Sequence, residues 1–443
     1  MREEGQRGRR AGEIVIALAA ILAAACAASA PAPFAAPTAD ERSAAEAEGF
    51  EVPPVLAASD LLEPGLRAGP RFTVDETVYC DGNRHVYTLH SDFGTFQARG
   101  DDMLRTRVRE IAALVALEEM SATSEFGAAA AKALGSPFVA TWKLITSPVD
   151  SIIGVPKGAW ESLRRTSDLA RSRRSELEDS AFVEFIGFEA KKRLIAAELG
   201  VDPYTSNKTL QRELNRFAWA AYAGGLPSMF VPFAKARAAV SVSVADQPEE
   251  KRLQAILRDY SPENIQRLDR IELAGMGVPK PLSDDFVHHP WYSPHHEAAL
   301  VESLSGLDLA RNRRAFIEAA VTARSEDDAR FYQRVAELMR RYNDQVARIE
   351  QIVPVEGAIT GYTADGTLVA PLPADCAVWS KANASLVSSF AAAKPEDGQL
   401  RARKLLLSGT LSPKARAEID ARGIGIVDRA FDRLAVGSPR TEE

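Results

Sequence analysis

The pattern of apolar and polar positions divides the chain into segments with different periods. Residues 72–79 and 85–90 alternate between the two kinds, and Asp81-Gly82-Asn83 lies between them as a turn. A second turn at 91–94 precedes a third short strand at 95–98. The pattern therefore predicts a small antiparallel β-meander over residues 71–100, and a helix must cover its apolar face.

From residue 101 onward the apolar positions recur every three to four residues, which predicts a helical domain over 101–355. Its first helix is expected at 101–120, and its longest runs from Ser325 to about Ile352. Ser-Pro pairs mark helix starts, because serine caps a helix and proline suits its first turn. The serines of these pairs are Ser136, Ser147, Ser261, Ser293 and Ser412.

The period changes again in the tail. Residues 358–363 and 367–370 flank Asp365-Gly366, which is a hairpin signal. Further along, strands at 404–407 and 424–427 flank a helix at 413–421, which predicts a small β-α-β unit. We assign residues 356–435 to a small α/β module.

These segments together predict an α+β fold. Its main part is a predominantly helical bundle, with a small N-terminal antiparallel β-hairpin or meander and a short C-terminal α/β unit. Residues 31–70 are rich in alanine, proline and acidic residues and have almost no aromatic side chains. Such a composition buries too little apolar surface to offset the entropy of ordering, so we predict a disordered linker there.

Residues 1–30 have the features of a signal peptide. A weakly positive start precedes the apolar run 14–28, which is shorter than the ~20 residues that span a membrane, and Ala28-Ser29-Ala30 supplies small residues for cleavage. The sequence therefore predicts an exported protein, in the periplasm or associated with the outer membrane. Two alternatives stay open: a retained anchor, and a lipoprotein modified at Cys26, since Ala23-Ala24-Ala25-Cys26 resembles a lipobox without its usual leucine.

Charge and cysteines refine this interpretation. The formal net charge of −7 argues against binding to nucleic acid. Removal of the leader leaves Cys80 and Cys376. In an oxidising compartment such a pair can form a disulfide, and the alternative is two reduced thiols that are buried separately.

One segment carries a cluster of metal-ligand residue types. His288, His289, His295 and His296 lie within ten residues of one another, and imidazole is a common zinc ligand. A zinc site here would suit a metal-dependent hydrolase. The alternative is that Ser293-Pro294 starts a helix whose first-turn imidazoles point to solvent. His85 and His90 are separated by an odd number of residues, so they are expected on opposite faces of one strand.

Three further features have a functional and a structural interpretation. Residues 126–160 combine lysines, tryptophans and prolines in an otherwise apolar stretch, which suits peripheral membrane contact or burial against the bundle. Residues 200–207 form either a ligand site or, by preference, a helix connector held by Asp202 and Asn207. A basic knot at 311–314 suits an anion, or pairs with acids such as Glu318.

Short phrases at 91–94, 199–205 and 329–332 resemble exported proteobacterial envelope proteins that have no assigned function. The resemblance implies export and a mainly helical body, and it transfers no catalytic residue. Our leading hypothesis is a non-enzymatic interaction scaffold with a protein partner in the cell envelope and no cofactor. The alternatives are the metal-dependent hydrolase at His288–His296 and a membrane-associating protein acting through 126–160.

Overall fold

The computed structural model describes residues 38, 43, 45–122, 126–128, 176–224, 248–355, 358–395 and 398–434. The leader with Cys26, most of residues 31–44 and residues 129–160 lie outside these ranges. Within the ranges, no helix is long and apolar enough to cross a membrane.

The N-terminal part is a six-stranded antiparallel sheet. Its central strand is β5, which pairs with β6 along its length, with β4 at its start and with β3 at its end. The strands are β1 (Val55–Ala57), β2 (Ala68–Gly69), β3 (Phe72–Val74), β4 (Thr77–Cys80), β5 (His85–Ser91) and β6 (Gly94–Arg99), with short helices α1 (Ala58–Leu61) and α2 (Pro64–Arg67) after β1.

Residues 55–69 form part of this sheet module, although their composition predicts a linker. They supply two strands and two single-turn helices, and Ala58, Leu62 and Leu66 are buried in the core of the module. These three residues are four positions apart, but they are too few to establish a helical period, and Pro64 interrupts the stretch. They become ordered by packing against the rest of the sheet, which is a long-range effect.

The helical body follows the sheet, and its first helix covers the sheet as predicted. Ser261, Ser293 and Ser325 each cap a helix by accepting a hydrogen bond from the backbone N–H three residues on. The helices are α3 (Asp101–Ser121), α4 (Glu176–Leu199), α5 (Lys208–Gly224), α6 (Pro248–Asp259), α7 (Pro262–Gly275), α8 (Lys280–Val287), α9 (Pro294–Ser305), α10 (Arg313–Ala320) and α11 (Glu326–Gln345).

The C-terminal part contains a five-stranded sheet in the order β13-β11-β9-β8-β7. Strands β13, β11 and β9 are parallel, and β8 and β7 continue the sheet antiparallel. The elements are β7 (Ile349–Val355), β8 (Ala358–Thr363), β9 (Thr367–Leu372), β10 (Cys376–Ala377), α12 (Lys381–Ala392), β11 (Ala402–Leu407), β12 (Thr410–Leu411), α13 (Pro413–Asp420), β13 (Ile424–Val427) and α14 (Ala430–Arg433). Both the hairpin β8–β9 and the β11–α13–β13 unit are as predicted.

The longest helix ends earlier than its apolar spacing predicts. Helix α11 stops at Gln345, and β7 starts at Ile349. Ile349 and Ile352 are fully buried, but they lie on a strand. Their separation of three residues also fits a helix seam, so the spacing alone is ambiguous there. Pro354 is a local signal against a helix at Val353, because a proline disfavours helical backbone at the preceding residue.

The predicted fold class, a predominantly helical bundle with minor β elements, is wrong. Over the residues that the structure describes, the fold is mixed, 53% helical and 20% strand, with three sheets. Besides the six-stranded and five-stranded sheets, β10 and β12 form a parallel pair. Several strands have only two or three residues, which is too short for a period of two to be visible in the sequence.

Candidate metal centre between the two sheets

The turn between β4 and β5 docks onto the segment that enters β10. The backbone N–H groups of Asp375 and Cys376 donate to the carbonyl oxygen of Asn83, at 2.8 and 3.2 Å. The buried side chain of Asn383 adds a hydrogen bond from its Nδ2 to the carbonyl oxygen of Gly82, at 3.2 Å. Residues almost 300 positions apart in sequence are therefore in direct contact.

The Sγ atoms of Cys80 and Cys376 lie at disulfide distance in the same contact. This geometry corresponds to the first of the two alternatives that the sequence left open. Cys80 is the last residue of β4 and is paired across the ladder with His85. Cys376 directly follows Asp375 in the chain.

Three potential metal ligands converge beside this disulfide. His85 starts β5, Asp101 is the first residue of α3, and Asp375 directly precedes β10. One ligand atom of each lies within 4.8 Å of the other two. We call His85, Asp101 and Asp375 the junction cluster, and in the described ranges it is the only group of three or more such residues with this geometry.

Hydrogen bonds fix the orientation of these side chains. His85 Nδ1 lies 2.8 Å from Asp101 Oδ1, and Tyr87 donates its hydroxyl proton to the same oxygen at 2.6 Å. The backbone N–H of His85 donates to Asp375 Oδ2 at 3.1 Å. His85 and Tyr87 are two residues apart on β5, so they lie on the same face of the strand.

Gly100 allows the chain to pass from β6 into α3 at this point. Its φ of +99° lies in a region that favours glycine, and a Cβ here would lie 2.7 Å from Asp102 Oδ1 and 3.6 Å from Asp375 Oδ2. Its N–H donates to the carbonyl oxygen of His85 at 2.8 Å. A glycine is therefore favoured here by its positive φ and by the close approach of the Asp102 carboxylate.

The carboxylates of this region differ in their electrostatic environments. Burial raises the pKa of Asp375 to about 7, and the charges of Asp101 and Asp102 act in the same direction. Asp102 has the opposite shift: burial would raise its pKa, but Arg330, Arg334 and Arg84 together hold it well below its usual range. A proton or a cation is therefore favourable at Asp375, whereas the charge of Asp102 is already balanced by arginines.

Opposing effects also act on the pKa of the His85 imidazole. Burial lowers the pKa of His85, but the hydrogen bond to Asp101 and the charge of that carboxylate outweigh the effect, so the pKa is raised. The side chain of His85 is only 7% exposed, whereas that of Asp101 is 43% exposed. The cluster is therefore accessible to solvent along Asp101.

The four histidines singled out in the sequence do not meet at one point. His288 lies against Arg270, with 2.9 Å between Nε2 and Nη2, and His289 packs edge-on against Tyr292. The rings of His295 and His296 are 6.0 Å apart. His288 directly follows α8 and the second pair lies in the first turn of α9, so the pairs are directed to different surroundings.

His296 lies in the first turn of α9 but does not point to solvent, in contrast to what the structural alternative predicted for the histidines there. It is 4% exposed, and burial lowers its pKa well below the usual value. It is therefore a neutral histidine in the protein interior. The first turn of α9 is covered by other elements, and the sequence period of the helix alone did not reveal this.

The remaining candidates have structural partners. Asp202 Oδ1 accepts from the N–H of Tyr204 at 2.7 Å, and Asn207 Oδ1 accepts from the N–H of Thr209 at 3.1 Å. Residues 200–207 therefore form the ordered helix connector that the sequence favoured. In the basic knot, Arg314 Nε donates to Glu318 at 2.7 Å. Of residues 126–160, only 126–128 are described.

Sequence reasoning missed the junction cluster because its members are far apart in the chain. The strand period predicts only that His85 and His90 lie on opposite faces, and the two do differ, since His85 is buried and His90 is exposed. The available signal was the cysteine pair. A disulfide between Cys80 and Cys376 brings Asp375 next to β4, and the predicted hairpin then brings His85 to the same place.

Comparisons with known proteins add no assignment, since no family model, curated protein or solved structure matches the chain. A functional assignment therefore has to come from the chemistry of the junction cluster itself.

Proposed function

We propose that this protein is an exported scaffold that binds one divalent metal ion at His85, Asp101 and Asp375. The observation that supports this is the convergence of three ligand atoms, from three separate segments, within 4.8 Å of one another. An ion held there joins the N-terminal sheet to the segment that enters the C-terminal module. Its binding free energy then contributes to the stability of the folded arrangement.

The charge balance of the site favours a cation. Asp101 and Asp375 are close enough to repel each other, Asp102 adds to the negative potential at Asp375, and the charge of a protonated His85 offsets part of it. A divalent ion replaces this repulsion by attraction to both carboxylates. One imidazole with two carboxylates is a donor set for zinc or manganese, whereas calcium and magnesium prefer oxygen ligands alone.

The proposed cellular location is outside the cytoplasm, in the periplasm or at the outer membrane, with a protein partner in the envelope. The leader pattern supports this, and so does the contact between Cys80 and Cys376, because disulfides persist in oxidising compartments. Cell fractionation with N-terminal sequencing of the mature chain tests the location. A full-length chain that stays in the cytoplasm would contradict it.

Metal binding is tested by equilibrium dialysis of the purified mature chain against Zn²⁺ and Mn²⁺. We expect one ion per chain, and binding at least about tenfold weaker in His85→Ala and in Asp375→Asn. His90→Ala is the matched control, because His90 lies on the same strand but is exposed and contacts Asp75 instead. No stoichiometric binding by the native chain, or equal binding by His85→Ala, would contradict the proposal.

A further inference from the structure

We infer that the Cys80–Cys376 disulfide controls the metal affinity of the junction cluster, so that the oxidised chain binds the ion more tightly than the reduced chain. This inference rests on the proposed metal function and adds its regulation. It concerns the same site in two covalent states of the protein.

The disulfide ties together the two segments that carry the most distant ligands. Cys80 is the ladder partner of His85 on the neighbouring strand. Cys376 is the covalent neighbour of Asp375. The bridge therefore limits how far the Asp375 carboxylate moves from the His85 imidazole, although the two residues are 290 positions apart in sequence.

Without the bridge, only non-covalent contacts hold Asp375 in place. These include the hydrogen bond from the His85 N–H to its carboxylate, those from the N–H groups of Asp375 and Cys376 to Asn83, and that from the N–H of Thr410 to the carbonyl oxygen of Asp375. Each contributes on the order of 1 kcal/mol. They act against the repulsion between the carboxylates of Asp375 and Asp101, whose ligand atoms lie within 4.8 Å of each other. In the reduced chain the segment therefore moves away more often, and an ion must order it again on binding, which weakens affinity.

The chemistry of the switch needs an external dithiol as reductant. The dithiol supplies two electrons and two protons, the sulfur–sulfur bond breaks, Cys80 and Cys376 become thiols, and the dithiol becomes a cyclic disulfide. Cys376 is only partly buried, which gives a thiolate access to the bridge. Metal binding and oxidation are thermodynamically linked. Oxidation raises the affinity for the ion by some factor, and the bound ion must lower the equilibrium constant for reduction of the disulfide by the same factor.

The test uses Mn²⁺ as the probe. Thiolates prefer softer ions, so they would bind Zn²⁺ themselves and obscure its binding at the junction cluster. Mn²⁺ affinity is measured for the mature chain as oxidised protein, after reduction by dithiothreitol, and for Cys80→Ser/Cys376→Ser. We expect the reduced chain and the double variant to bind at least about tenfold more weakly than the oxidised chain. A tenfold change corresponds to about 30 mV in the two-electron reduction potential.

A second measurement avoids dependence on the folding of the variant. The equilibrium of the native chain with a dithiol redox buffer is followed with and without saturating Mn²⁺, and we expect the ion to shift it toward the disulfide. Equal Mn²⁺ affinity in both redox states and no shift would overturn the inference and leave the metal proposal intact. An oxidised chain that binds no Mn²⁺ or Zn²⁺ would overturn the metal proposal as well.

Discussion

At the scale of single residues, the environment gives identical side chains different roles. Asp102 is kept ionised by arginines, whereas burial and neighbouring carboxylates raise the pKa of Asp375 to about 7. Asp269 on α7 is a third case: it is 6% exposed, and its Oδ2 is buried without a hydrogen-bond partner in the described part of the chain. Burial, followed by the charge of Glu272, raises its pKa to about 8.

The proton on Asp269 makes the stability of the fold depend on pH. In the unfolded chain this carboxyl ionises near 3.8, and in the folded chain near 8. Between these values the folded state holds the extra proton, so stability falls as pH rises, by about 1.4 kcal/mol per pH unit from this group alone. Above pH 8 the contribution is constant.

Asp269→Asn is therefore expected to remove this slope and to be more stable than the native chain at pH 7. The free energy of unfolding in urea, measured from pH 5 to 9, checks this. Asp285→Asn, at an exposed position on α8, should keep the slope of the native chain. Parallel pH profiles for the native chain and Asp269→Asn would contradict the assignment of the proton.

Gly100 provides a second test at this scale. In Gly100→Ala, the added methyl group meets Asp102, and the positive φ becomes unfavourable. We expect a loss of about 1–3 kcal/mol in unfolding free energy, because a side chain strains this backbone conformation. We also expect weaker metal binding, because position 100 directly precedes the ligand Asp101. Gly65→Ala on α2 is the control, since nothing lies within 4 Å of its Cβ and its φ is not positive. Thermal melts of both variants that coincide with the native curve would contradict this role.

At the scale of elements, α3 connects the N-terminal sheet to the helical body. Its N-terminus carries Asp101, and Glu110 near its middle is 1% exposed. The Glu110 carboxylate accepts hydrogen bonds from Arg107 at 2.7 Å, from Asn207 at 3.0 Å and from the hydroxyl of Thr205. This one side chain therefore holds the connector at 200–207 against α3.

Glu110→Ala is expected to lower the unfolding free energy by about 3 kcal/mol, because it leaves buried polar partners without their acceptor. Glu118→Ala on the same helix is the comparison. Glu118 is half-exposed and pairs with Arg71 at the surface, so its loss should cost less than about 1 kcal/mol. Urea denaturation curves measure both. Similar losses in the two variants would show that the connector does not depend on Glu110.

The elements also show how much of the fold the sequence could predict. Helix starts followed from local signals, since Ser261, Ser293 and Ser325 do cap helices. The β8–β9 hairpin followed from Asp365-Gly366, whose glycine has a φ of +84°. The end of α11 could not be predicted, because the separation of Ile349 and Ile352 fits both a helix and a strand. Strands β1 and β2 could not be predicted, because they are too short to show an alternating pattern.

At the scale of the whole molecule, contacts between residues far apart in the sequence determine features of the fold that the local apolar pattern does not predict. The strands in residues 55–69 pair with β4 and β3, and their apolar side chains share a core with β5 and α3. Such contacts contribute to the error in fold class. The junction cluster also depends on long-range contacts, since its three residues share no local sequence motif. The cysteine pair was the one signal in the sequence that reached across this distance.

Long-range contacts also connect the N-terminal sheet to the helical body and to the C-terminal module. Arg330 on α11 pairs with Asp102 at 2.9 Å, and Arg99 on β6 lies 3.4 Å from Asp327. The disulfide and the turn at Asn83 tie the N-terminal sheet to the C-terminal module. The proposed ion would lie where these connections meet, so its loss should loosen both modules together.

The proposed metal site is tested most simply by anomalous diffraction from crystals of the oxidised mature chain grown with Zn²⁺, recorded at the zinc absorption edge. We expect one anomalous peak between His85, Asp101 and Asp375, at ~2.0–2.2 Å from a donor atom of each residue. A fully ordered junction with no peak there, or a peak at His288–His296 instead, would contradict the metal site.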